Sequence, residues 1–249
     1  MGRISESVKV ILIANILFFI GSQVIGVKAY ELFALWFPEN QNFHFWQILT
    51  HMFMHGGISH IFFNMFALYI FGSFLEQSIG QNRFLFLYFS AGLGAAGLQI
   101  LFSYLDFNSA YNALLENGAT VAQINDLLNQ FDGQSYGMMY NGGNALVNDL
   151  ASSFMVPMVG ASGAIFGVMA AFAVIYPNLP LYIMFIPIPI KAKYLIGGYF
   201  LLNVYSAVTG NTLLGPSNTA YWAHIGGAVI GFITMWYWKK NQFNQNRWN

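Results

Sequence analysis

The chain has 249 residues, of which 57% are hydrophobic and only 7% charged, where a soluble domain of this length carries about a quarter charged residues. It is read as a membrane protein. The formal net charge is zero and the nine Lys and Arg are scattered, so no phosphate-binding surface for nucleic acid is expected; with no cysteine, disulfides, thiolate catalysis and cysteine-ligated metals are excluded.

A bilayer core of about 30 Å takes roughly 17–25 apolar residues per helix. The first such stretch, about 8–27, follows the short basic start Arg3 and Lys9 and is too long for a signal-peptide core, so a retained span is predicted. Further spans are predicted at about 58–75, 84–105, 155–176, 194–208 and 221–238, giving an all-α, polytopic bundle of six transmembrane helices in one membrane domain over 1–249. Residues 106–154 form an extended outer loop. Within it Thr120-x-x-Gln123 resembles a capping box. The apolar stripe Val121, Ile124, Leu127, Leu128 and Phe131 then predicts an amphipathic helix at the surface or the interface, ending before Gly133. Pro180, Pro187 and Pro189 make 179–190 an interfacial connection and not a helix.

Orientation follows from the cations. Arg3, Lys9, Arg83, Lys191, Lys193, Lys239, Lys240 and Arg247 fall on one side of the six spans and only Lys28 on the other, so both termini are expected to be cytoplasmic. Even-numbered spans then enter from the outer face. That puts His60 and Asn64 in the first turns of span two, Ser162 at the start of the helical part of span four, and His224 in the first turn of span six. Four polar residues at one depth on three helices are functional candidates, because unpaired polar groups in lipid are costly.

Spans four and six carry Gly163-x-x-x-Gly167 and Gly227-x-x-x-Gly231, small-residue faces that let transmembrane backbones approach closely. If these faces pack together, Ser162 and His224 meet, and the imidazole serves as general base to a nucleophilic hydroxyl. No carboxylate lies at this depth, so a dyad is expected, with Phe166 one turn below Ser162 orienting the imidazole ring. The Ser162 backbone N–H at the helix start and the side chains of His60 and Asn64, at i and i+4, are candidate donors to an oxyanion.

These motifs resemble the rhomboid family of intramembrane serine proteases. The resemblance rests on Gly160-x-Ser162-Gly163, on Ala223-His224-x-x-Gly227-x-x-x-Gly231, and on His55-x4-His60-x3-Asn64 preceded by Thr50-His51. It covers the six-span core, most clearly from about Phe45 to Phe232. It implies Ser162 as nucleophile, His224 as base and His60 and Asn64 lining the oxyanion hole, with His55 supporting the adjoining loop and water access. It also implies cleavage of transmembrane protein substrates near the outer membrane face, in the lipid bilayer, with no cofactor, metal or ATP. A bacterial cytoplasmic (inner) membrane location goes with the predicted orientation. Two residues depart from the family pattern: Gln47 follows Trp46 where the family often has Arg, and Phe166 stands where it often has Tyr.

Other readings are weaker. Gly-x-Ser-Gly alone is commonly helix packing, and Ala164 rules out the soluble-hydrolase Gly-x-Ser-x-Gly. His51-x-x-x-His55 has helical metal spacing, but the general-base Glu of a zinc protease would be residue 52, which is Met52. His44, in the aromatic run Phe43–Trp46, is read as an interfacial anchor. A catalytically silent rhomboid-like protein that binds transmembrane helices is the alternative class, disfavoured by the intact Ser162 and His224. A small transporter is disfavoured because the polar residues sit near one face and no inverted repeat is visible. The segments expected to move are span five and the loop Gly210–Ala220. The physiological substrate and oligomeric state are not encoded in these motifs.

Overall fold

The computed structural model describes residues 4–132, 144–183, 186–213, 215–216 and 219–241. Arg3 and Arg247 of the cation tally, and Leu214, Ser217 and Asn218 of the loop before the last helix, lie outside them.

The described residues are mostly helical. Helix α1 (Glu6–Ile25) ends at Gly26, whose φ of 72° turns the chain into the short α2 (Val27–Phe33). Helix α1 starts against span two: the buried Glu76 carboxylate accepts from the Ser5 hydroxyl and, at 3.0 Å each, from the backbone N–H groups of Ser7 and Val8. An anion held at a helix N-terminus satisfies donors that have no intrahelical partner.

A connecting segment follows with one turn of helix, α3 (Gln47–Thr50), and a 3₁₀ turn at His51–Phe53. Span two runs through α4 (Ile58–Ala67), a π-helical turn at Leu68–Gly72 and α5 (Ser73–Ile79). After Gly80 comes α6 (Gln81–Glu116). Its 36 residues are about 54 Å at 1.5 Å per residue, well beyond the ~30 Å bilayer core. The expected outer loop from 106 onward is therefore corrected: α6 simply continues out of the apolar layer. Asp106, Asn108 and Asn112 mark the edge of the apolar layer, not the end of the helix.

The capping box before α7 (Val121–Asp132) is present: the Thr120 N–H donates to Gln123 Oε1 at 2.8 Å and the Gln123 N–H to Thr120 Oγ1 at 3.3 Å. Asn144 caps α8 (Ala145–Met155) through the Leu146 N–H. The stripe of α7 docks on protein. Ile124 is fully buried in a second core with Phe37, Phe107, Leu114, Leu150 and Phe154, and Leu127 and Leu128 pack against it, while Val121 stays exposed. An outer layer of α8 and the end of α6, with α7 against it, thus stands in place of a loop.

The segment 156–161 is not helical, so the predicted fourth span begins seven residues late, as α9 (Ser162–Ile175). Two strands, β1 (Pro180–Ile183) and β2 (Ile186–Lys191), pair antiparallel in the proline-interrupted connection. Helices α10 (Ala192–Thr209) and α11 (Tyr221–Asn241) complete the fold. Of these, α1, the Ile58–Ile79 unit and α6 are long and apolar enough to cross a membrane, and α9 is a shorter apolar helix. Helix α10 carries Asn203 and three tyrosines and α11 carries His224 and two lysines, which makes them less apolar.

Helix α9 is the hub. Nine of its residues, Gly163 to Met169, Ala171 and Phe172, are buried among α11, α6, α10 and span two. The glycine faces bring α9 and α11 together: a Cβ at Gly227 would strike the Gly163 carbonyl oxygen, one at Gly231 the Gly167 carbonyl oxygen, and one at Gly167 would lie 2.8 Å from the Gly227 carbonyl oxygen. The backbones touch where any side chain would part them.

Candidate active site

Ser162 is delivered by the segment that precedes it. Leu35 and Met158 exchange backbone hydrogen bonds at 2.9 and 2.8 Å, and the Gly160 N–H donates to the His51 carbonyl at 2.9 Å. The chain is thereby pinned to the segment before span two, and α9 starts at a fixed depth. Its first residue is Ser162, with Ala161 as N-cap and no side-chain cap. The backbone donors of the first turn are left without intrahelical partners.

Ser162 Oγ lies 2.9 Å from Nε2 of His224, which is buried in the first turn of α11. The imidazole stacks on Phe166, with ring centroids 4.1 Å apart and planes 10° from parallel, and meets Tyr221 edge-on at 6.4 Å. Phe166 also packs against Tyr199 of α10 at 5.1 Å. The absent tyrosine hydroxyl costs the stack nothing, because ring contact needs only the aromatic face.

The sequence reading expected no third partner, yet one is present. Asn203 of α10, 3% exposed, places Oδ1 2.8 Å from His224 Nδ1, and its Nδ2 donates to the Tyr199 carbonyl at 2.8 Å. The signal available in the sequence was a single amide in an otherwise apolar stretch. Its link to His224 is made only by helix packing.

On the other side of Ser162, the Gly56 N–H donates to His60 Nδ1 at 3.3 Å, which leaves the proton of the neutral ring on Nε2. That nitrogen faces Gly160: a Cβ there would sit 2.8 Å from His60 Nε2 and 3.6 Å from Asn64 Nδ2. The φ of Gly160 is 122°, so both conformation and space require glycine. Asn64 is buried, and its Nδ2 has no hydrogen-bond partner among the described residues. Two side-chain donors therefore converge on the space beside Gly160, two residues before Ser162. A small cavity lined by His51, Val159, Gly160, Ser162 and Ala223 adjoins them.

His55 lies fully buried with its ring 5.1 Å from that of His60, and the Tyr30 hydroxyl donates to its carbonyl at 3.2 Å. It supports His60 and not Ser162 directly. The helical spacing read for His51 and His55 is not realised. The 3₁₀ turn ends at Phe53, Met54 is extended, and His51 Nδ1 is held 2.9 Å from the Gln47 carbonyl. Burial pushes two imidazoles of the segment before span two far down, His51 to about 4 and His55 to about 3.

Gln47, where an Arg was expected, is wholly buried and uses both ends of its amide. Nε2 donates to the Glu31 and Asn42 carbonyls at 2.8 and 2.7 Å, and Oε1 accepts from His44 and Trp36 N–H at 3.1 and 3.4 Å. A neutral side chain here ties together the segment that carries His51, with no ion pair. His44 stacks on Trp46 at 4.3 Å, and the exposed Phe45 and Trp46 suit an interfacial position.

A bundle of apolar helices thus encloses a hydrogen-bonded Ser–His pair. A family model described as Rhomboid domain matches residues 42–122 and 126–241. The chain belongs to the rhomboid family. It is 29% identical over 198 residues to the RHOMBOID-like protein 12, mitochondrial, of Arabidopsis thaliana, which covers 79% of this chain and 47% of the relative. The chain thus spans about half the length of that relative.

Proposed function

We propose that the protein is an intramembrane serine endopeptidase that cleaves transmembrane-anchored proteins near the outer membrane face. The observation that carries this reading is the 2.9 Å approach of Ser162 Oγ to His224 Nε2 beneath a pair of converging donors. In the reaction, Ser162 Oγ attacks the scissile carbonyl while His224 Nε2 takes its proton. The oxyanion is met by His60 Nε2–H, Asn64 Nδ2 and the Ser162 N–H. His224 then returns the proton to the leaving amine, and water hydrolyses the acyl-enzyme by the same base. The chemistry asks for no metal or cofactor.

Six membrane-crossing helices with both termini on the cation-rich side agree with the lysine and arginine distribution. In a bacterial inner membrane that side is the cytoplasm. The mitochondrial designation of the Arabidopsis relative favours a mitochondrial membrane as a second reading of the compartment.

The test is covalent. Detergent-purified protein is incubated with a fluorophosphonate probe and the adduct is located by peptide mass spectrometry. The expected adduct is on Ser162 and is lost in Ser162→Ala; labelling that persists in that variant would sink the nucleophile assignment.

A further inference from the structure

The Asn203 amide fixes which nitrogen of His224 carries the proton. Its Nδ2 donates to the Tyr199 carbonyl, which can only accept, so the amide has one orientation and turns Oδ1 toward His224. Oδ1 also only accepts. The proton of the neutral ring is therefore on Nδ1, and Nε2 keeps its lone pair toward the Ser162 hydroxyl. We propose that Asn203 is the positioning residue of the Ser162–His224 pair, holding the imidazole in the tautomer that can accept the serine proton. The Ser162–His224–Asn203 group is then assembled from three helices, α9, α10 and α11. This inference rests on the Ser–His reading above.

Ring contacts alone do not do this work. The Phe166 stack and the Tyr221 edge fix the plane of the imidazole, but a stacked ring flipped by half a turn keeps the same contacts while putting carbons where Nδ1 and Nε2 stood, and neither contact selects which nitrogen carries the proton. Only an acceptor on one side breaks that degeneracy. Without Asn203 the Nδ1–H would also be buried with no partner, which is costly in an apolar interior. The bond to its own helix is the one a structural amide makes, as Asn15 Nδ2 does to the Ile11 carbonyl at 2.8 Å. Asn203 gives Nδ2 to its helix and Oδ1 to the base.

A second consequence concerns α10. Only Ala192, Ile196, Asn203 and Ser206 of its 18 residues are buried, and much of the rest faces outward, including Tyr194, Leu201, Tyr205 and Val208. The residue that orients the base thus sits on a thinly anchored helix, so the base is oriented only while α10 is seated against α11.

The experiment compares wild type, Asn203→Ala and Asn203→Asp by the rate of Ser162 labelling with a fluorophosphonate across pH, with thermal unfolding as the check on folding. Asn203→Ala is expected to slow labelling by about 10²-fold, the usual scale for losing a reactive geometry. Asn203→Asp restores most of the rate and moves the low-pH limb of the profile to higher pH, because a carboxylate beside Nδ1 favours the imidazolium. A structural role would lower the unfolding temperature and leave that limb in place. Unchanged rate and profile in both variants, or an Asp variant that tracks the Ala variant, overturns the proposal. If the wild type is not labelled at Ser162, the nucleophile reading fails separately, and nitrogen NMR still decides the tautomer. In ¹⁵N-histidine protein, with His224→Gln for assignment, the His224 proton is expected on Nδ1; a proton on Nε2 overturns the proposal. The same spectrum serves if Asn203→Ala does not fold.

Discussion

At the scale of single residues, the site is a set of mutually fixed hydrogen-bond roles. Ser162 and His224 were legible because hydropathy places both at one depth and each precedes a glycine face. Asn203 was not, since its meaning depends on a partner 21 residues away on another helix. The donor pair beyond Ser162 leads to a graded expectation. Asn64→Ala removes one donor aimed at the space beside Gly160 and should slow cleavage by ~10²–10³ with little change in thermal stability, read from turnover and unfolding of the same preparation. Two buried imidazoles add a pH dependence. The ordinary value of 6.5 falls to about 4 for His51 and about 3 for His55, so the unfolded chain binds more protons below 6.5 than the folded one. Their contribution is complete above pH 6.5 and is lost as pH falls from there toward 4 and 3. Unfolding temperatures in detergent should drop through that window, and His51→Gln should flatten part of the slope.

At the scale of elements, the close pairing of α9 and α11 does most to bring nucleophile and base together. The glycine spacing made this pairing legible, and the structure shows the contact is backbone against backbone. Gly227→Leu would drive a side chain into the Gly163 carbonyl, for which overpacking costs about 1–3 kcal/mol or more. The expected outcome is a lower unfolding temperature together with loss of Ser162 labelling; a variant that folds and labels like wild type would show that the pairing does not set the site. Less of the outer layer was legible. The capping box and stripe marked α7, but a reading centred on bilayer thickness stopped α6 where its residues turn polar. The helix continues because α7 and α8 supply protein surface for Phe107, Ala110 and Leu114 in place of lipid. The segment before span two shows a similar effect. The Gln47 departure suggested a missing ion pair, and four neutral hydrogen bonds fill that place.

At the scale of the whole molecule, charge and depth are linked. In the proposed six-span topology, eight of the nine cations fall on the side away from Ser162, and the residues around the site enter from the opposite face. The cysteine-free chain makes this arrangement directly testable with single introduced thiols. Asn117→Cys, past the end of α6, should react with a membrane-impermeant maleimide added to the outside of intact cells. Lys239→Cys should react only after permeabilisation, and the reverse pattern would invert the topology. The central claim is that this bundle cuts a peptide bond within reach of Ser162. It is tested most directly by reconstituting the protein in liposomes with a single-span model substrate and mapping the products by mass spectrometry. The account predicts one cut near the outer end of the substrate helix with wild type and none with Ser162→Ala or His224→Ala, both still folded; cleavage by either variant, or none by wild type across a panel of such substrates, would contradict it.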